Sequence, residues 1–313
     1  MNATSSGPSS AKPLRIGTRG SALARWQADW VSAELQKRGF EAEQIIIKTG
    51  GDGSTVPLNS MGGVGVFTRE IQTALLEHRV DLAVHSLKDL PTDKIDGLAL
   101  SAVPVRANVH DVLVSNKYKR LDELPDSARV GTGSVRRKAQ LLHRYPKLEV
   151  MDIRGNVDTR LRKLDDEEYD AIILAAAGLE RLEWSERIAQ QIPLELMLPA
   201  VGQGALGIET RSDDDATIAA VSQLTHAETF ASVIAERALL ASLRAGCLAP
   251  VGAHATVTDG RLNLQACVLN ETGNSRIEHS GVAEPSSATQ LGIDTANALI
   301  AQGATKLIAE SRQ

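Results

Sequence analysis

From Leu14 onward the chain alternates short β-prone runs with stretches of helical periodicity, and this alternation restricts the fold more than any other feature. LRIGT, IIIK and DLAVHS read as strands. Between the first two, Ser21 is placed to cap a helix whose apolar positions Leu23, Trp26, Trp30 and Ala33 recur every three or four residues, and Gly39 marks its end. Thr68 opens a second helix through Leu75 and Leu76. A further block starts near His110, with DVLVS, RVGTG, LEVMDI and YDAIILAA as strands and helices after Ser134 and Asn156. Beyond Thr225 a long helix runs through Ile234 and Leu239 to Arg244. It is followed by a hairpin turning at Asp259-Gly260 and a last helix around Ile293 to Ile300. The pattern therefore predicts two α/β domains and a small α+β domain, although 313 residues divided by about 150 per domain suggests two. Residues 1–13 read as a disordered tail without the apolar core of a signal peptide, and the glycine-rich stretch from Gly50 to Gly65 reads as a mobile loop.

Composition excludes several functional classes. Two cysteines cannot make a disulfide framework for a chain of this length, and no Cys/His cluster has zinc spacing. No apolar run approaches the roughly 18 residues that span a bilayer. The net charge of -5 argues against coating nucleic acid by bulk charge. The average hides a local reversal, however. Ten Lys or Arg lie between Arg129 and Lys163 against only Glu149, Asp152 and Asp158. Tyr145 is the one aromatic ring with Tyr or Trp chemistry there, which does not suit base stacking. Arg136 and Arg137 follow GTGS in the first turn of a helix, where they oppose the dipole and so need a reason to be there. Two readings stay open for this stretch: a solvated basic face, or a pocket for carboxylates or phosphates at strand ends.

Glycine motifs decide less. Gly202-Gln203-Gly204-Ala205-Leu206-Gly207 fits GxGxxG in letters, but a Pro-containing segment precedes it and a strand-like GIE follows, so it is not a dinucleotide fingerprint. Gly131-Thr132-Gly133-Ser134 reads as an anion-binding strand-to-helix turn, and no GxxxxGK[ST] is present. In AVHSLKDLP a strand ends at Ser86 and Lys88 and Asp89 fall in the turn. The pair is either a surface ion pair or a carboxylate kept ionised by nearby cations, able to stabilise a developing positive charge. His85 reads as a packed strand residue. Cys247 lies in a loop pinned by Gly246, Pro250 and Gly252, where a thiol can be reached; Cys267 alternates along a strand.

TRGSALARWQ, AVHSLKDLP, GTGSVRRKAQL, IRGNVDTRLRKL, YDAIILAAAGLERL, LPAVGQGALGIE and AGCLAPVG, in this order, closely resemble the porphobilinogen deaminase (hydroxymethylbilane synthase) family from about Leu14 to the C-terminus. The resemblance implies two α/β domains like type II periplasmic binding proteins and a small α+β C-terminal domain. The expected boundaries are 14–104 with 205–222, then 110–198, then 227–313. It implies a transferase that condenses four porphobilinogen molecules into linear hydroxymethylbilane on a dipyrromethane cofactor held by a thioether to Cys247. Asp89 would be the catalytic carboxylate, stabilising the azafulvenium cation left when ammonia departs. Ser86, Lys88, Thr132, Ser134, Arg136, Arg137 and Arg160, together with Asp89, would bind the cofactor. Arg19, Ser21, Arg154, Arg181 and Gln203 would bind substrate. No metal is expected, and the partner is porphobilinogen rather than nucleic acid or a membrane, for a cytoplasmic monomer. The family's loop lysines are replaced by Ser60 and Val64, and Gly50 and Val105 stand for polar residues common in bacterial members. A non-catalytic module of two α/β domains closing on a small anion is the alternative.

Overall fold

The computed structural model describes residues 12–48, 68–246 and 249–311. Cys247, Ser60, Val64, Gly50 and most of the expected tail and glycine-rich loop therefore lie outside the described residues.

The first α/β unit holds β1 (Leu14–Thr18), α1 (Ala22–Gln36), β2 (Ala42–Ile46), α2 (Arg69–Leu76), β3 (Leu82–Ser86) and β4 (Leu98–Ala102). The second holds β5 (Asp111–Val114), β6 (Arg129–Gly131), α3 (Val135–Arg144), β7 (Glu149–Met151), α4 (Val157–Asp165), β8 (Ala171–Ala175), α5 (Ala176–Arg181) and β9 (Gln190–Gln191). The chain then returns as β10 (Leu206–Arg211) and α6 (Asp215–Ser222). It ends with α7 (Ala227–Ser242), β11 (Val251–Thr258), β12 (Arg261–Leu269), β13 (Arg276–Ala283), α8 (Ala288–Ala301) and α9 (Ala304–Glu310).

The two α/β sheets repeat one plan. The first has order β2-β1-β3-β10-β4, with β1 parallel to β2 and β3 and β10 antiparallel to β3 and β4. The second has order β7-β6-β8-β5-β9, with β6 parallel to β7 and β8 and β5 antiparallel to β8 and β9. In each, one antiparallel strand arrives through a crossover from the other unit. Two α/β domains of one shared plan result. Interior strands of sheets covered by helices are buried on both faces, and β8 and β10 accordingly carry almost uniformly buried side chains.

The third sheet is an antiparallel meander, β11-β12-β13, whose apolar face packs on α7 and α8 through Ala235, Leu239, Leu264 and Leu299. The hairpin between β11 and β12 turns at Asp259 (φ 51°) and Gly260 (φ 73°), the positive-φ pair that matches strand twist.

Three local readings need correction. Helix α1 buries Gln27, Ala28, Val31 and Leu35; of the apolar repeat, Trp30 packs on this core, Ala33 is exposed and Trp26 lies under Arg181. The second strand starts at Ala42, because pairing runs from Leu14↔Ala42 to Thr18↔Ile46 along an edge where Glu43 and Gln44 face water at little cost. The last long helix starts at Ala288, five residues before the expected Ile293.

Two crossovers, 103–110 and 192–205, join the α/β units and bond to each other, Ala107 N–H to the Gly204 carbonyl at 3.1 Å. Gly204 sits at φ +84°, and a Cβ there would lie 2.6 Å from the Ala107 carbonyl oxygen, so only glycine permits this approach. The C-terminal unit closes the joint. The fully buried Glu236 carboxylate of α7 accepts from Arg106 Nη1 (2.7 Å) and Nη2 (3.1 Å), from Gly202 N–H (2.7 Å) and from Ala255 N–H (2.8 Å). A buried charge is tolerated when every acceptor site is filled in this way.

Candidate active site

One wall of the cleft is the C-terminal end of β3. Ser86 accepts a hydrogen bond from Gln27 Nε2 at 2.8 Å, and the chain then makes a single 3-10 turn, Leu87–Asp89. Leu87 is buried beneath this turn, its N–H bonded to the Ala205 carbonyl at 3.0 Å, so Lys88 and Asp89 face outward from it. Asp89 is exposed, and among the described residues its carboxylate accepts no hydrogen bond. Lys88 is half-buried, with Nζ 3.5 Å from Gln203 Oε1. Burial pushes its pKa down to about 8; Arg137 and Arg136 push the same way, while Asp89 and Asp111 oppose them.

The facing wall is the end of β6 and the start of α3. Ser134 caps α3, its hydroxyl accepting from Arg137 N–H at 3.4 Å, and Thr132 Oγ1 accepts from Ser134 N–H at 3.3 Å. The misplaced-looking first-turn arginines are explained by Asp111, the first residue of β5, which is completely buried. Arg136 Nη1 donates to its Oδ2 at 2.7 Å, while Arg137 Nε (2.9 Å) and Gln203 Nε2 (3.0 Å) donate to its Oδ1. Burial would raise the Asp111 pKa, but the two arginines and the Gln203 hydrogen bond hold it well below the usual carboxylate range. Burial pulls Arg137 down despite this partner. Arg136 also donates to the Leu198 carbonyl at 2.6 Å, and its buried Nε has no acceptor among the described residues.

Arg154 and Arg160 extend this wall from the end of β7. Arg154 Nε pairs with Asp152 at 2.8 Å, and Arg160 Nε donates to the Gly155 carbonyl at 2.8 Å. Arg160 is lowered to about 10, first by burial and then by the neighbouring Arg137 and Arg154. The Asp89 charge acts on Lys88, Arg137 and Arg160 alike, which puts the exposed acid in the field of the opposite wall. Lys88, Asp89, Arg136, Arg137, Arg154, Arg160 and Gln203 thus form one electrostatic neighbourhood, with Gln203 bridging Lys88 and Asp111.

The remaining expected residues gather elsewhere. Arg19 follows β1, and Ser21 caps α1, accepting from Ala24 N–H at 3.4 Å. Arg181 is buried, donates to the Gly204 carbonyl at 2.8 Å, and stacks 5.7 Å from the Trp26 ring centre. Burial lowers its pKa to about 10. A groove of about 510 Å³ opens beside them between α1 and α5, lined by Gly20, Arg25, Trp26 and Arg181. Arg181 therefore spends part of its donor capacity fastening the two units.

His85 is a packed residue, as its strand position suggests: it is buried with Nε2 3.2 Å from Glu209 Oε2, and Gln72 bonds both Glu209 oxygens. Cys267 is equally enclosed, its Sγ 3.6 Å from Gln140 Oε1 and its thiol pushed up by burial. Asp111, which holds the arginine wall, and Glu236, which holds the crossovers, lie outside the motifs. The available signal for Asp111 is an acid opening the apolar run DVLV while two arginines lack an explained partner.

The model of the porphobilinogen deaminase dipyromethane cofactor binding domain matches residues 14–219, and that of the porphobilinogen deaminase C-terminal domain matches residues 230–301. The chain belongs to the porphobilinogen deaminase family. Porphobilinogen deaminases of Syntrophotalea carbinolica and Geobacter metallireducens are each 45% identical to it, over 96% of this chain and 96% of theirs. That of Chlorobium phaeobacteroides is also 45% identical, over 96% of this chain and 99% of its own. Among solved structures, the methionine binding protein MetQ overlaps at a TM-score of 0.45, with 14% identity over 67% of this chain and 89% of that chain. The cationic cleft lies within the residues that the cofactor-binding-domain model matches.

Proposed function

We propose that the Lys88–Asp89 turn and the arginine wall opposite are the two halves of one active site, with Cys247 as the attachment point of the dipyrromethane cofactor. The reaction is the porphobilinogen deaminase reaction: four porphobilinogen molecules are joined head to tail, ammonia leaves at each addition, and linear hydroxymethylbilane is released.

The residues fit an anionic cofactor on the chemistry of their donor set. Five cations (Lys88, Arg136, Arg137, Arg154, Arg160) face three carboxylates (Asp89, Asp111, Asp152) in a partly buried space, and Lys88 and Arg160 are lowered partly by neighbouring cations. A carboxylate-bearing ligand relieves that repulsion and gives the buried Arg136 Nε its missing acceptor. This unfilled donor in a crowded cationic wall is the observation that carries the reading. When bound, the cofactor supplies the nucleophilic pyrrole carbon from which the product grows.

This chain's residues supply the rest. Arg136, Arg137, Arg154, Arg160 and Lys88, with the Thr132 and Ser134 hydroxyls, hold acetate and propionate groups. Arg19, Ser21 and Arg181 offer the same chemistry along the α1–α5 groove, and Gln203 keeps the two walls in register. Asp89 is left unbonded, so its carboxylate can accept a pyrrole N–H and stabilise the cation that remains when ammonia departs. The buried Cys267 thiol is the poorer candidate for attachment, which leaves Cys247. No described helix is long and apolar enough to cross a membrane, and we read the chain as a cytoplasmic monomer.

Intact-mass measurement tests this. Wild-type protein should carry a covalent adduct of two pyrrole units that Cys247→Ser lacks. An unmodified thiol in active protein sinks the cofactor assignment and favours the plain anion-binding module.

A further inference from the structure

Helix α7 presents two consecutive charged residues to different parts of the machinery. Glu236 grips the crossovers, as described. Arg237 instead donates from Nη1 to the Leu90 carbonyl at 2.9 Å and from Nη2 to the Pro91 carbonyl at 2.7 Å. Leu90 is extended (φ -84°, ψ 117°), and neither carbonyl lies in a helix or strand; among the described residues no main-chain N–H reaches them. Arg237 therefore satisfies two main-chain acceptors directly after Asp89.

The turn is held on three sides. Its start is bonded to Ala205, and a Cβ at Gly202 or Gly207 would strike Leu87 at 3.1 or 2.8 Å, so the turn sits hard against the crossover. Its underside, Leu87 and Leu90, packs with Val233 of the same α7. Its exit is the part that Arg237 fixes. Asp89 lies between these restraints with its carboxylate unbonded, so its placement comes from the backbone on either side. Helix α7 ends at Ser242, five residues before Cys247 in the sequence.

We propose that Arg237 is a positioning residue for Asp89: by clamping the Leu90 and Pro91 carbonyls it aims the catalytic carboxylate, and it ties that aim to helix α7. This rests on the assignment of Asp89. A planar fork with separate nitrogens for separate acceptors does this; a side chain without N–H donors cannot.

The test is a double-mutant cycle on the holoenzyme. Arg237→Met should retain the covalent adduct by intact mass and a KM for porphobilinogen within about twofold, while kcat falls about 10- to 100-fold, as displacement of a catalytic group by an ångström does. In an Asp89→Glu background, where the carboxylate is already displaced, the same substitution should cost far less. If folded, loaded Arg237→Met keeps wild-type kcat, or if the two effects multiply fully, the proposal is overturned. Should Arg237→Met fail to fold, Arg237→Lys carries the same cycle, with a smaller kcat loss expected and an unchanged kcat counting against the proposal. Failure of the Asp89 assignment has its own signature: Asp89→Ala would keep turnover whatever Arg237→Met does.

Discussion

Two carboxylates share this cleft and are treated in opposite ways. Asp111 opens a buried strand and is saturated by Arg136, Arg137 and Gln203. Asp89 stands on an exposed turn, with no hydrogen bond to its carboxylate among the described residues. The difference separates structure from chemistry. A buried carboxylate paired with two guanidiniums fixes the wall against which a ligand is held. One that is left open, but whose backbone is clamped, can meet charge that develops only during the reaction.

The contrast breaks most sharply at Asp89. Asp89→Ala should lower turnover by about 10²- to 10⁴-fold, with the far-ultraviolet circular dichroism and the covalent adduct unchanged. Turnover at the wild-type level would show that the open carboxylate is not the chemical one. Asp111→Asn should behave in the reverse sense, since it leaves two buried guanidiniums without their counter-charge. A denaturant midpoint should report a loss of about 3–5 kcal/mol, together with reduced cofactor loading by intact mass. Equal stability of the two variants would erase the distinction between the carboxylates.

The smallest expected effect concerns Lys88. Its ordinary pKa of 10.5 is lowered to about 8, so the unloaded protein carries this charge below pH 8 and loses it above. The energetic cost of burying the charge is therefore present below pH 8 and is relieved as pH rises toward 10.5. Anion loading needs the charged form. Cofactor loading of apo-protein should thus weaken between pH 7 and 9 in wild type and stay level in Lys88→Arg, measured as the adduct fraction against pH. A wild-type profile as flat as the variant's would remove Lys88 from the anion-binding wall.

Much of this was legible without coordinates. Strand-end motifs such as AVHSLKDLP and GTGSVRR place Asp89, Lys88, Arg136 and Arg137 just past the carboxyl ends of β3 and β6, because strand ends and helix N-termini are local features. The packed role of His85 also followed from strand alternation. What could not be read is pairing across long separations. Asp111 meets Arg136 across 25 residues and Gln203 across 92; Glu236 meets Arg106 across 130; Arg237 meets Leu90 across 147. The face of α1 was misread for the same reason. Trp26 looks like core by periodicity, yet it lies beneath Arg181 of the other unit.

The sequence by itself determined the alternating α/β plan, the concentration of arginines within a net-acidic chain and the acid on a turn. These depend on residue type and near neighbours. Tertiary structure decided which of those charges are free. Arg136, Arg137 and Arg181 are part-spent on Asp111, Leu198, Ile173 and Gly204, while Asp89 is held open by a helix from the far end of the chain. Whether a charged group is consumed or available depends on which partner folding brings within hydrogen-bond reach, and these partners lie 23 to 147 residues away.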